Sequence, residues 1–561
     1  MTRALRVGLV VSLLATACST VASGPPLPRP TPDVPGSSTS TAAPVTTAAP
    51  RVSAVTGPTC PSVFCLSYHI EPGATWADGT PVTPDDFRQT VTFQLGPGVQ
   101  EAEPGYALID RVETVDENTA LVSFSQPYGP WPTLFQRLFR SGHPFQDIRE
   151  ADTTGAFTFA DWVEGEAVIL ERDPEWWADR DPLSQTPLGD VRQVSFVFVD
   201  DAEEMLDALA RGEVDVITTR ADAATVQDLE AMEAVDHATS AGPFWEHIDF
   251  NHLDPMLSRP WLREAMALAI NRDEILDRTV RLAHREATVL DNTVWMTGTP
   301  EYESHFTAGF DPVQAAEILS QNGCAPGEDG IQVCDGTRLS FIWATTNDDP
   351  WRREIFESAR DDLAEIGIEL VGSFRSPSDL VNPDFLFGGP QVWQLINFSW
   401  RAHADPHRAN STYYCGQEGT LNVNHYCSEE VAELIRQTGF ITDQAERADL
   451  YNRADSLYLG DFAVIPLFQK PTVMAWSNVL TGPQPNNTPS SDLWNLASWS
   501  GKEEIVVALN SEPLEIDPLS TTDDNANLIM SPLLYGAFGM RPSHERVPVL
   551  VDSVDVIGSG S

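Results

Sequence analysis

Apolar and polar positions along this chain follow two periods. Residues 194–199, V-S-F-V-F-V, form a short β-branched and aromatic run, the pattern of a buried strand. From 201 to 211 the apolar residues Met205, Leu206 and Leu209 recur at helical spacing, and Gly212 follows as a stop. Asp311-Pro312 opens another helix, with Ala315, Ile318 and Leu319 on one face, and residues 353–366 and 444–459 read as further amphipathic helices. One-sided apolar stripes of this kind ordinarily face a core, so no function is assigned to them. Alternating strand and helix signals predict an α/β fold with mixed sheets.

The first sixty residues break this pattern. Arg3 and Arg6 precede an apolar run from 7 to 15, the arrangement of a secretory signal peptide. The run is too short to cross a bilayer. It closes on Ala15-Thr16-Ala17-Cys18, which resembles a bacterial lipobox, with Ala15 where leucine is usual. This predicts a signal peptide over 1–17 and a lipidated Cys18, hence a protein held outside the cytoplasm on the cell membrane of a bacterium. Residues 18–58 are rich in Pro, Ser, Thr and Ala without an apolar period, so they predict a tether rather than a core. At about 3 Å per residue such a chain reaches roughly 100 Å.

Length and charge narrow the function. The 561 residues are too many for one hydrophobic core and allow two or three. Against 34 Lys plus Arg stand 82 Asp plus Glu, a formal charge of −48, which argues against nucleic acid as a partner. The acidic excess reads first as a solvated surface. Besides Cys18 there are six cysteines, in three close pairs: Cys60 with Cys65, Cys324 with Cys334, and Cys415 with Cys427. An even count outside the cytoplasm reads as disulfides, local pairing being the simplest of the 15 connectivities. No C-x-x-C pair gives structural zinc spacing. H-E-x-x-H, G-x-S-x-G, a P-loop and G-x-G-x-x-G after a strand are all missing, so the sequence predicts neither an enzyme nor a cofactor.

A series of short blocks carries a family resemblance. Residues 66–87 contain H-I-E-P-G-A-T-W-A-D-G-T-P-V-T-P-D-D, and 111–124 read R-V-E-T-V-D-E-N-T-A-L-V-S-F. Thr154-Gly155-Ala156-Phe157 with Asp161-Trp162, Asp173-Pro174-Glu175-Trp176-Trp177, L-D-A-L-A-R-G-E-V-D at 206–215 and R-E-A-M-A-L-A-I-N-R at 263–272 follow. Together these resemble the family 5 (oligopeptide, dipeptide and nickel type) solute-binding proteins of ABC transporters. One block is out of order. Residues 501–561, with S-E-P-L-E-I-D-P, S-P-L-L-Y-G-A-F-G and R-V-P-V-L-V-D-S-V-D-V, resemble the opening of that family, yet they follow everything else. The chain therefore resembles a circularly permuted member, cut in a hairpin, with Cys60–Cys65 pinning one side of the cut. The alternative is a gene-model artefact of tandem copies.

The resemblance implies a two-lobed periplasmic-binding-protein type II fold with an extra subdomain and a ligand cleft between lobes. The subdomain would be 59–151 plus 541–561, the first lobe 152–250 plus 475–540, and the second lobe 251–474. In peptide-binding members a G-W-x-x-D stretch supplies an aspartate for the peptide amine, since a buried ammonium must be charge-paired. Here the stretch is Ser399-Trp400-Arg401-Ala402-His403-Ala404-Asp405-Pro406, with His403 at the acid position and Asp405 two residues later. Tyr535 stands where the family's E-G-L turn has its acid. The cleft candidates are Trp400, Arg401, His403, Asp405, Tyr535, Trp245, Asn251 and Trp393. His403, Asp405 and His407 are not assigned a metal, because Pro406 prevents a helical i, i+4 arrangement. The resemblance implies a monomeric receptor passing a polar solute, an oligopeptide first and an oligosaccharide second, to an ABC permease and ATPase. An envelope lipoprotein of the same fold that binds or regulates cell-envelope glycolipid, without a transporter, is the alternative.

Overall fold

The computed structural model describes residues 59–558 except 97–98, 100–101, 144–147, 417–419, 487, 489–490 and 520–522. The signal peptide, Cys18 and the tether lie outside the described residues, as does the end of the tail from 559.

The locally encoded helices form where their end signals stand. Ala202–Arg211 starts at Asp201, whose side chain accepts from the Glu204 N–H, and stops at Gly212 in the left-handed region (φ 70°). Pro312–Gln321 begins at Asp311 and Gln444–Gly460 at Asp443, each capping with its carboxylate. The helix expected from 353 begins earlier, at Pro350–Glu365, because Asp349 caps it and Pro350 suits the first turn. The strand expected at 194–199 is Gln193–Phe198.

One ten-stranded mixed sheet runs through both lobes. Its order is Glu369–Arg375, Ser340–Thr346, Leu395–Arg401, Val235–Phe250, Val464–Ser477, Val216–Arg220, Glu504–Leu509, Gln193–Phe198, Ala167–Arg172 and Phe157–Val163. The antiparallel pair Val235–Phe250 and Val464–Ser477 is long enough to belong to both lobes, and its register breaks at Pro466/Phe468 and Gln469/Pro471. Beside the break, a Cβ on Gly242 would stand 2.4 Å from the Lys470 carbonyl oxygen, so only glycine lets the two strands pass. This interrupted pair has the geometry of a hinge between two lobes.

Each unit has its own core. In the second lobe the core includes Leu262, Met266, Ile275, Trp343, Ile355, Tyr451 and Ile465. In the first lobe it includes Phe157, Leu170, Phe196, Trp499, Val507, Ile529 and Met530. A third core, with Tyr68, Trp76, Phe87, Val122, Phe135 and Leu550, lies under a four-stranded antiparallel sheet. That sheet has the order Val551–Ile557, Phe64–Ile70, Thr119–Phe124, Ile109–Asp116. The disulfides are Cys60–Cys65, Cys324–Cys334 and Cys415–Cys427. Among the described residues no helix is long and apolar enough to cross a membrane.

Candidate functional site

Between the lobes lies a cavity of about 1010 Å³, large enough for a ligand of several residues or sugars. One wall is the face of the sheet carrying Trp245, Phe398 and Trp400. Alternation along the strands puts these side chains on one face, and Trp400 pairs directly with Trp245 across the ladder. Beneath them sits His247, fully buried, with Trp400 stacked on it at 6.1 Å and 12°. Among the described residues the His247 ring nitrogens have no hydrogen-bond partner, although Nδ1 lies 3.3 Å from Asp249 Oδ2.

Six of the eight predicted site residues line this cavity: Trp400, Arg401, His403, Asp405, Tyr535 and Trp245. Arg401 pairs with Asp524 of the first lobe at 2.6 Å, a bridge across the cleft. His403 is open to the cavity but enclosed by protein, and this burial, with Arg408 and Arg401 nearby, lowers its pKa to about 4. It is therefore a neutral imidazole near pH 7. Asn251 and Trp393 are fully buried away from the cavity. Asn251 donates to the carbonyls of Gly388 and Trp393, and the Trp393 indole donates to Phe385 and Leu386. They hold the turn that brings Leu386 and Phe387 into the wall.

Asp405 stands in the wall with its carboxylate already engaged. Both oxygens accept from Arg447, at 2.6 and 2.8 Å, and Oδ1 also meets His407 Nδ1 at 2.9 Å. Burial opposes its charge, but Arg447 and His407 outweigh burial and hold it well below the usual carboxylate range. His407 continues to Glu103, at 2.8 Å, and Arg408 joins the same carboxylate at 2.6 Å. Glu103 belongs to the segment under the four-stranded sheet, so this chain of charges fastens it to the second lobe.

Sequence reasoning missed two cavity groups. Arg137 donates to Asn527 Oδ1 at 2.9 Å and, at 3.4 Å, to the Pro518 carbonyl, and no carboxylate pairs with it among the described residues. Burial alone lowers its pKa to about 10, leaving it a cation near pH 7. Asp492 accepts from the Asn486 N–H and the Thr218 hydroxyl, both at 2.8 Å, and forms no ion pair among the described residues. The only local signal for Arg137 was a charge set among apolar residues in L-F-Q-R-L-F. Asp492 gave none.

The arrangement is a cleft with an aromatic wall and both paired and unpaired charges, and among the described residues no catalytic group is assembled. The family model for bacterial extracellular solute-binding proteins, family 5 (middle), matches residues 65–407. The oligopeptide-binding protein OppA of Mycobacterium tuberculosis is 24% identical over 455 residues, covering 75% of this chain and 71% of the relative. Among solved structures, the periplasmic EDTA-binding protein EppA aligns with a TM-score of 0.64 at 19% identity, covering 78% of this chain and 85% of its own. NikZ from Campylobacter jejuni, in complex with Ni(L-His), aligns with a TM-score of 0.59 at 18% identity, covering 79% and 89%.

Proposed function

The chain belongs to the family 5 bacterial extracellular solute-binding proteins, and from that premise we propose that it captures a carboxylate-bearing polar solute, a short peptide foremost, for an ABC importer. The chain is a binding protein and not an enzyme. One observation carries the ligand class: Arg137 is a half-buried cation in the cavity wall, and among the described residues no carboxylate pairs with it. A buried charge without a partner is costly, and a ligand carboxylate would supply a charge-assisted pair. The names of the relatives agree in chemistry, since an oligopeptide, EDTA and histidine all carry carboxylates.

In this reading Asp405 shapes the wall, because Arg447 occupies it, while Trp245 and Trp400 cover the apolar part of the ligand. Cys18 anchors the protein, the tether holds it off the membrane, and the lobes divide near 151, 250, 475 and 541. The permuted order belongs to the same proposal. Its support is that Val551–Ile557 pairs antiparallel with Phe64–Ile70, with Cys65 opposite Ile557, as the two arms of a hairpin would. The aromatic wall favours a second reading, an oligosaccharide or glycolipid headgroup stacked on Trp245 and Trp400.

The test is thermal shift and calorimetry on the purified chain with tetra-alanine, its C-terminal amide and neutral oligosaccharides. We expect the free acid to stabilise the protein, and the amide to bind at least about tenfold more weakly, a difference of about 1.4 kcal/mol. Arg137→Gln should bring the free acid down to the level of the amide. Oligosaccharide binding that Arg137→Gln leaves unchanged would move the assignment to a glycan receptor.

A further inference from the structure

Resting on the proposal above, we infer that Asp492 is a cation subsite of the cleft, and that the ligand presents an ammonium or guanidinium group to the first lobe. The other cavity carboxylates are occupied. Asp405 is paired with Arg447, Glu103 with His407 and Arg408, and Asp524 with Arg401. Asp249 lies beside His247 and accepts from Asn424 at 2.9 Å. Among the described residues Asp492 alone is open to the cavity with only neutral partners, a backbone N–H and a threonine hydroxyl.

Each Asp492 oxygen accepts one hydrogen bond and keeps capacity for another. The Thr218 hydroxyl and the Asn486 N–H fix the direction of the carboxylate, so it is organised before a ligand arrives. Enclosure penalises its ionised form and raises its pKa, and among the described residues no cation relieves that penalty. A ligand cation would. Arg137 has the complementary need for an anion in the same cavity. The two together describe a ligand with charges of both signs, whose cation is read opposite the lobe that carries the engaged Asp405.

The experiment separates the two charges. Agmatine carries a guanidinium and an ammonium but no carboxylate, and succinate carries carboxylates but no cation. Both are titrated into the wild-type chain, Asp492→Asn, Asp492→Glu and Arg137→Gln, with unfolding midpoints as readout. Agmatine should raise the midpoint of the wild type and of Asp492→Glu but not of Asp492→Asn, whose own midpoint in buffer shows that it folds. Equal shifts in wild type and Asp492→Asn, or no shift in either, overturn the inference. Succinate tests Arg137 independently, so failure of the carboxylate reading is seen apart from failure of this one. With tetra-alanine and its N-acetyl form, wild type should prefer the free amine by at least tenfold and Asp492→Asn should not distinguish them. Discrimination that survives in Asp492→Asn places the cation elsewhere and overturns the inference.

Discussion

At the scale of single residues, the cleft is decided by which charges find partners inside the protein. Asp405 and Arg447 are both nearly buried, at 8% and 3% side-chain exposure, and joined by two hydrogen bonds. Removing one member leaves the other buried and unpaired, which costs about 3–5 kcal/mol, whereas removing both costs less. Arg447→Leu should therefore lower the second lobe's denaturant midpoint strongly, and Arg447→Leu combined with Asp405→Asn should recover part of it. An unchanged midpoint for the single variant would mean the pair is not a support of the wall. Sequence reading reached Asp405 through its position near Trp400, because that is a local pattern. It could not see Arg447, 42 positions away, taking the carboxylate. Arg137 and Asp492 were illegible for the same reason. Among 82 acids and 34 bases, an unpaired charge is defined by three-dimensional neighbours, whereas Trp245 and Trp400 were found because large aromatics near a family block are visible in one dimension.

At the scale of elements, the short 3₁₀ helix Pro406–Tyr413 joins the lobe to the segment carrying Glu103. Its first turn presents His407 and Arg408 to Glu103, while Asp405 caps it and holds the other face of His407. The facing charges are thus Glu103, Asp405, Arg408, Arg447 and the neutral His403. Burial works against the His407 cation, but hydrogen bonds and charge from Asp405 and Glu103 outweigh it and raise its pKa. Burial likewise opposes Glu103, and His407 and Arg408 outweigh it and lower its pKa. The signs follow. With a raised pKa, His407 supports the contact fully below its ordinary value of about 6.5, and that support is lost as pH rises through the raised value. With a lowered pKa, Glu103 supports it fully above about 4.3, and loses it as pH falls through the lowered value. Small-angle scattering of the unliganded protein should show its most compact form between about pH 4.3 and 6.5, extending beyond both limits by the two shifts. It should expand on the alkaline side, and His407→Gln should remove that limb. Expansion of the variant identical to wild type would show that another group governs closure. The helix start at Asp311 was readable because a cap and the N–H it binds lie three residues apart. The fastening of this 3₁₀ helix was not, since Glu103 and His407 are 304 positions apart.

At the scale of the whole molecule, strands far apart in the chain lie side by side in the fold. The family blocks made the α/β two-lobed architecture legible, since each block is a local pattern and many occur in sequence. The ten-strand order was not legible, because neighbours such as Val235–Phe250 and Val464–Ser477 meet from more than 200 residues apart. In the small sheet, Val551–Ile557 lies against Phe64–Ile70 with Cys65 opposite Ile557, and a Cβ on Gly558 would sit 3.3 Å from the Val63 carbonyl oxygen. These two strands need no long connection to be joined. Elsewhere, Gly501-Lys502 leads directly into Glu504–Leu509, a strand paired in parallel on both sides. On the permuted reading proposed above, a chain with a short Gly/Ser linker from Gly558 to Cys60, opened between Gly501 and Lys502, would restore the order of the family without moving a strand. Closing so short a loop is cheap in entropy, and each doubling of its length adds only about 0.6 kcal/mol. The rearranged protein should therefore keep its circular dichroism, its three disulfides and its tetra-alanine affinity within a few-fold. A rearranged chain that folds but loses the ligand would show that the natural order sets the closure of the lobes. One that fails to fold would show that the hairpin must assemble from separate ends, and the permuted reading of this sequence would then fall.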